Sequence, residues 1–404
     1  MISVDEAIGR IVSSIHPVMD EIVMLSESAG RVLAQDLSAR VTQPPFDVSA
    51  MDGYAVRTED VKSPAHLELI GESAAGASFE GQVNAGQTVR IFTGAQVPSG
   101  ADAIIIQEDA EAKDSPRIAF QVAAVKGRHI RPKGGDFSKG DCTLRAGKRL
   151  NARDIGLAAS MNTAWVTVKR RPLVAILATG DELALPGNPV GPHQIISSNA
   201  LALAANIRQW GGIPLDLGIA RDNRASLVAA AQAAQKSDLI VSTGGVSVGD
   251  HDLVQEVFRD EGLEINFWRV AMRPGKPSLF GSLNGVPLLG LPGNPVSSAV
   301  CANVMLRPAL AALSGVNNPH ETSPMRTGVL ARDLPANGKR QHYMRASFQP
   351  AVDGTNPPLV TPFESQDSAM QSLLVQANCL AVRAPLAPAA KRGDVIEFLP
   401  FLDD

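Results

Sequence analysis

Cysteine is scarce in this 404-residue chain: Cys142, Cys301 and Cys379 lie far apart and form neither a CxxC pair nor an even disulfide framework. That excludes a disulfide-stapled fold and points to a reducing, cytoplasmic setting. Charge of one sign is lacking too, since 37 Lys+Arg oppose 41 Asp+Glu for a formal net charge of -4. Broad electrostatic binding to nucleic acid or an anionic membrane is therefore not expected, and any anion site must be local. No run approaches the roughly 18 uninterrupted apolar residues of a membrane span. Asp5, Glu6 and Arg10 interrupt the apolar N-terminus, which reads as an amphipathic helix rather than a signal peptide. The seven histidines show no metal-ligand spacing; His251 reads as a loop residue, and no structural zinc is expected.

What is present is apolar material spread evenly along the chain, 45% hydrophobic against 19% charged residues. Nearly every segment can pack, and the length calls for two to four compact units. Ile8, Ile11, Val12 and Ile15 recur at helical spacing before Pro17. Residues 42–140 turn to short β-rich runs broken by Gly and Pro, whereas 151–168 read as a helix followed by a strand. The chain is thus expected to return to its first piece: 1–41 and 141–171 form a discontinuous scaffold and dimerisation domain, with 42–140 as a β-rich insertion. From Pro172, LVAILATG, DLIVSTGG and VPLLG alternate with amphipathic helical stretches. This predicts parallel βαβ units and a doubly wound α/β domain over 172–315. Asn199 and Asp222 are the expected helix caps, and Gly211 with Gly212 the expected stop. Residues 316–404 return to β-like runs, so the fold class is multidomain α/β plus β.

Ligands of open α/β sheets lie beyond the carboxyl ends of the strands, which singles out three loops. They are ATGDEL at 178–183, STGGVSVGDHD at 242–252 and LPGNPVSSAV at 291–300. The glycines Gly244, Gly245 and Gly249, near Ser247, could present backbone N–H groups to phosphate or simply make turns. The loop has neither a Walker pattern nor GxGxxG, which argues against an ordinary NTPase or a nicotinamide enzyme. Asp181, Glu182, Asp250 and Asp252 could supply hard oxygen ligands to Mg²⁺, or serve as caps and solvated charges. Arg269, Arg273 and Lys276, within NFWRVAMRPGKPSLFG, offer donors to an oxyanion, or remain hydrated. Pro292 and Pro295 stiffen a turn in which Asn294 and Ser297 can cap a helix or touch a ligand. In PPFDVSAMDGYAV, Asp47, Ser49 and Asp52 are denser than a simple turn needs, and Thr93 in FTGA adds a hydroxyl.

Together with IRPKGGDFSKGD, these motifs occur in an order that resembles the molybdopterin molybdenumtransferase family, the MoeA proteins, and the similar E domain of gephyrin. The resemblance spans essentially the whole chain. It implies a homodimer of four-domain chains with the active cleft between subunits. The implied reaction inserts molybdate into adenylylated molybdopterin with Mg²⁺-dependent release of AMP. An adenylyltransferase and apo-molybdoenzymes are the implied partners. Carried over residue by residue, the resemblance puts Asp181, Glu182 and Asp252 around Mg²⁺ and phosphate, with Asp222 in support. Arg269, Arg273 and Lys276 would bind molybdate or ligand phosphates, next to Gly244, Gly245, Ser247, Pro292, Asn294, Pro295 and Ser297. Asp52, Thr93 and Asp136 would complete the cleft. Three positions depart from the family pattern: Gly135 replaces an acidic residue beside Asp136, Ser197 stands where an acid is usual, and Val48 where a polar residue is common.

Overall fold

The computed structural model describes residues 1–111, 116–244, 253–322, 324–350 and 357–401. At its centre is a six-stranded sheet in the order Ile213–Ala220, Leu173–Thr179, Leu239–Thr243, Val286–Leu291, Leu279–Leu283, Leu263–Trp268. Residue alternation explains its two covered faces. Val174, Ile176, Val241 and Leu289 meet Leu203 and Ile207 of helix Asn199–Gln209 on one side. Ala175, Leu177, Ile240 and Leu288 meet Leu227 and Ala231 of helix Arg224–Ala234 on the other, joined by Val257 and Phe258 of helix Leu253–Asp260. Burial on both faces is why LVAIL and LIVS read as continuous apolar runs rather than alternating ones.

The expectation of parallel strands holds for the first four and needs correction for one, Leu279–Leu283, beyond which the edge strand Leu263–Trp268 runs in the common direction again. Leu279–Leu283 runs antiparallel to both of its neighbours. The cause is local: Asn284 and Gly285 have positive φ of 49° and 82°, the conformation of a two-residue hairpin turn whose twist matches the flanking strands. Two cap assignments also change. Asn223 accepts from Ser226 N at 3.0 Å and caps the helix expected to begin on Asp222. Ser198 occupies the other cap position without a side-chain cap bond, while Asn199 is the first helical residue.

Pro295–Leu313 is a 19-residue helical stretch long and apolar enough to cross a membrane, yet 89% of its most apolar span is buried inside the protein. It contains a π-helical segment at Ala302–Leu306 just before Pro308. A proline here lacks an N–H and crowds the carbonyl four residues back, and a local widening of the helix relieves that conflict. The N-terminal helix Val4–Ser14, capped by Ser3 through Glu6 N at 3.1 Å, buries Val4, Ala7 and Ile11 in the same core cluster as Leu310 and Leu313. Its apolar side is thus spent on the α/β unit.

The strand that follows it, Asp20–Met24, pairs antiparallel with Trp165–Lys169, so the chain returns to its first piece after the insertion. Helix Ala152–Ser160 precedes that return and starts on a capping box between Asn151 and Asp154. Within the insertion, six strands order as Ala103–Ile106, Gly53–Val56, Gln87–Ile91, Ala65–Ser73, Arg117–Phe120, Ala110–Glu111.

At the other end of the chain, Gln341–Gln349, Leu359–Pro362, Arg326–Leu330, Val395–Pro400 and Cys379–Arg383 close into a five-stranded barrel through the pairing of first with last. A short strand from the α/β unit, Met272–Arg273, adds to it in parallel with Gln341–His342. We call this connection the strap.

Candidate active site

The carboxyl ends of Leu173–Thr179, Leu239–Thr243 and Val286–Leu291 open into a cavity of about 460 Å³. Of the residues singled out by sequence, Glu182, Gly244, Pro292, Asn294 and Pro295 line it. Three loops distant in sequence therefore converge, as expected for an open α/β sheet. Gly245, Ser247, Asp250, His251 and Asp252 lie outside the described residues. Ser297 is buried, at 5% exposure, in the first turn of helix Pro295–Cys301. Asp181 is exposed, and its Oδ1 accepts from Asp222 N at 3.2 Å, so the two acids are neighbours. Arg221 Nη1 donates to the carbonyls of Asp181 and Leu183, tying this loop down.

Also lining the cavity are Thr179 and Thr243, which lie in the loops singled out by sequence but were given no role of their own, Ser197, noted there only as a departure from the family pattern, and Ser198, which sequence reasoning missed. A signal existed for the first two. Each is the last residue of its strand and precedes a glycine, so its side chain sits where the sheet ends. Asn199, expected only as a cap, donates from Nδ2 to Gly293 O at 2.7 Å and ties helix Asn199–Gln209 to the LPGNP turn. Asn294 donates to Ser368 Oγ at 3.0 Å, linking that turn to the C-terminal region. Ile195 and Ile196 pair with Leu183–Ala184 in a two-stranded flap on the cavity wall, and both are exposed.

Asp52 and Thr93 form a unit in the inserted domain. Asp52 Oδ1 accepts from both Thr93 N and Thr93 Oγ1 at 2.7 Å. These two bonds, backbone first, hold its carboxyl below the usual range against an opposing effect of burial, with a lesser contribution from the Arg90 charge. Asp47 Oδ1 accepts from Lys133 N at 2.8 Å and joins the PPFD segment to the loop that carries Asp136. Asp136 itself is exposed. Among the described residues none of 42–140 lines the strand-end cavity, so there the two groups of candidates stay apart within one chain.

The three strap cations separate as well. Lys276 is exposed beside Pro277, which lines the cavity. Arg269, at φ 70°, lies over the Trp268 ring with its guanidinium carbon 3.8 Å from the centroid. Arg273 lines a different cavity, against the barrel, because the strap strand pairs there. Close packing holds the turn between them: Gly275 has φ 108°, and a Cβ on it would sit 2.3 Å from Cys301 Sγ. Cys301 is buried, and burial pushes its thiol up to about 12, so it is a protonated packing group with no nucleophilic use.

Three family models match consecutive stretches: the MoeA N-terminal region (domain I and II) at residues 2–162, a probable molybdopterin binding domain at 175–312, and the MoeA C-terminal region (domain IV) at 327–401. The chain is 33% identical over 403 residues to the molybdopterin molybdenumtransferase of Haemophilus influenzae, covering 99% of each. The chain belongs to the MoeA family of molybdopterin molybdenumtransferases. The enzyme of that name from Nostoc sp. is 37% identical over 361 residues, covering 86% of this chain and 82% of the relative. The crystal structure of a molybdopterin biosynthesis MoeA protein from Pyrococcus horikosii superposes with a TM-score of 0.81 at 28% identity, covering 99% of both chains. MoeA membership makes the chain a transferase of molybdenum cofactor biosynthesis, with molybdopterin as its substrate.

Proposed function

We propose that the enzyme inserts molybdate into adenylylated molybdopterin at the strand-end cavity, with Mg²⁺-dependent release of AMP. The observation that carries this reading is Glu182. Its carboxylate lines the cavity and, among the described residues, takes no hydrogen bond or ion pair from the protein. An uncommitted carboxylate at a strand end suits a hard cation that completes its shell with substrate phosphates, the usual binding mode of Mg²⁺. Glu182, with Asp181 and Asp252, would hold the ion, which when bound would supply charge stabilisation on the departing phosphate.

The protein's own groups provide positioning and electrostatics. The N-terminus of helix Pro295–Cys301 and the amide of Asn294 border the cavity, and Lys276 and Arg269 on the strap would offset the repulsion between molybdate and a phosphorylated pterin. The ionised Asp52, fixed by Thr93, and Asp136 would face this cavity from a second subunit. A homodimer is supported by an exposed apolar row on the scaffold sheet, where Met19, Ile22, Met24 and Trp165 are 46–73% exposed. Apo-molybdoenzymes would receive the product, and the adenylyltransferase step would supply the substrate.

The deciding experiment measures AMP release from adenylylated molybdopterin with Mg²⁺, with and without molybdate, together with reconstitution of an apo-molybdoenzyme. Molybdate-dependent AMP release with reconstitution is the expected result. Conversion of ATP and molybdopterin to the adenylylated pterin would instead assign the preceding step.

A further inference from the structure

We infer that Arg90 is a positioning residue for the transferase reaction, holding the Asp52–Thr93 unit of the inserted domain in one geometry from both of its backbone flanks. The placement begins with strand register. Arg90 on Gln87–Ile91 lies directly opposite Tyr54 on Gly53–Val56, so its side chain shares a face with the Tyr54 ring. The guanidinium carbon is 5.0 Å from the centroid of that ring and 5.0 Å from that of Phe92, the residue before Thr93. Held over both rings, it reaches across the ends of three adjacent strands. Nη1 donates to Gly53 O at 3.2 Å and Nη2 to Gln107 Oε1 at 2.6 Å.

Each of these acceptors fixes a different side of Asp52. Gly53 follows it in the chain, and a Cβ there would sit 2.0 Å from Ile105 O, so this backbone is pressed against strand Ala103–Ile106 without slack. Gln107 follows that same strand, and its N–H donates to Asp52 O at 3.1 Å. Phe92 in turn leads into Thr93, whose N–H and hydroxyl hold Asp52 Oδ1. One cation thereby ties down the carbonyl, the following residue and the hydroxyl donor of a single carboxylate. A planar fork can serve two separate acceptors at once in fixed geometry, which the point charge of a lysine cannot.

The charge balance explains why a cation stands here. Arg90 is half-buried and, among the described residues, makes no ion pair. Glu72 lies opposite it on the neighbouring strand Ala65–Ser73 and Glu108 follows Gln107, yet both are exposed and neither pairs with it. Its own bonds go to neutral oxygens, and a cation partly withdrawn from water without an answering charge is costly. Asp52 supplies that charge: after the two Thr93 bonds, the Arg90 guanidinium also favours the ionised carboxyl. Among the described residues Asp52 Oδ2 accepts nothing from the protein, which leaves it free for a group outside the domain.

This role rests on the assignment of Asp52 to the reaction, so the test reads the two separately on full-length protein. Carboxyl NMR follows the Asp52 titration, its resonance assigned with Asp52→Asn, and molybdate-dependent AMP release is measured across pH. Arg90→Met is expected to move the titration and the acid limb of the activity profile to higher pH together, and to lower kcat about tenfold at unchanged KM. Arg90→Lys keeps the charge and loses the fork; it should restore both pH values and leave kcat low. Arg57→Gln, which breaks the pairs with Glu59 and Asp60 in the same domain, should change neither. An unmoved Asp52 titration in Arg90→Met overturns the proposal and leaves the Asp52 assignment standing. Full kcat in Arg90→Lys overturns it too, and that variant decides the matter if Arg90→Met loses its circular dichroism signature. A moved titration with an unmoved activity limb would remove Asp52 from the reaction and the proposal with it.

Discussion

The two cavities are similar in size, about 460 and 500 Å³, and opposite in chemistry. One is built from loops at the ends of parallel strands and presents an uncommitted carboxylate. The other is built from strand faces and presents Arg273, His342 and Arg383 in a row, with Arg332, Glu364 and Asp367 also on its walls. Loop chemistry is local, so Thr-Gly, Asp-Glu and Pro-Gly-Asn-Pro announce themselves in order along the chain. Row chemistry depends on which residue lies opposite which, and that is a property of the assembled sheet. The strap joins the two: Pro277 at one end touches the first cavity and Arg273 at the other lines the second.

The comparison can be broken at several points, the largest effect coming first. Glu182→Gln keeps the shape of the strand-end cavity and removes its charge; molybdate-dependent AMP release should fall about 100-fold, with thermal unfolding unchanged. An unchanged rate would mean that this carboxylate takes no part in the reaction. Gly275→Ala forces a side chain into a positive φ against Cys301 and should cost about 2 kcal/mol. Thermal unfolding reads that cost, and since the strap borders the strand-end cavity through Pro277, molybdate-dependent AMP release should weaken as well.

Asn199→Ala removes the tie to Gly293 and should cost about 1 kcal/mol; a raised KM for the pterin with kcat kept would confine the damage to binding at the strand-end cavity. Asn151→Ala breaks the capping box of Ala152–Ser160, which lines neither cavity, and should lower stability by about 1 kcal/mol without altering AMP release. The smallest effect concerns pH. The carboxyl of Asp52 is depressed by the Thr93 amide and hydroxyl, so its contribution is present above the unfolded-state value and is lost as pH falls through the folded one. Thr93→Val removes the hydroxyl and should move the acid limb of the activity profile to higher pH; an unmoved limb would detach Asp52 from the reaction.

Much of the strand-end site was legible because period and punctuation are local. LVAIL and LIVS could be placed as buried strands from their unbroken apolar runs, and the polar loops after them followed. Errors came where two adjacent residues compete for one role. Asn223 took the cap from Asp222 by standing one position nearer the helix, and Asn199 entered the helix because its side chain bonds to Gly293. The Asn284-Gly285 turn was readable as a hairpin but was overshadowed by the surrounding βαβ rhythm. Arg273 was grouped with Lys276 because they are three residues apart, and nothing in that spacing reveals a strand that leaves one sheet for another.

By itself the sequence determined the doubly wound sheet, the family and the loops that converge beyond its strands, because apolar periodicity and turn chemistry act over a few residues. Only the tertiary structure decided that the first helix packs on the α/β core, that the last five strands close into a barrel, and that Arg273, His342 and Arg383 stand in one row. Those outcomes rest on pairing between segments far apart in the chain, where register is settled by what packs best across the whole sheet.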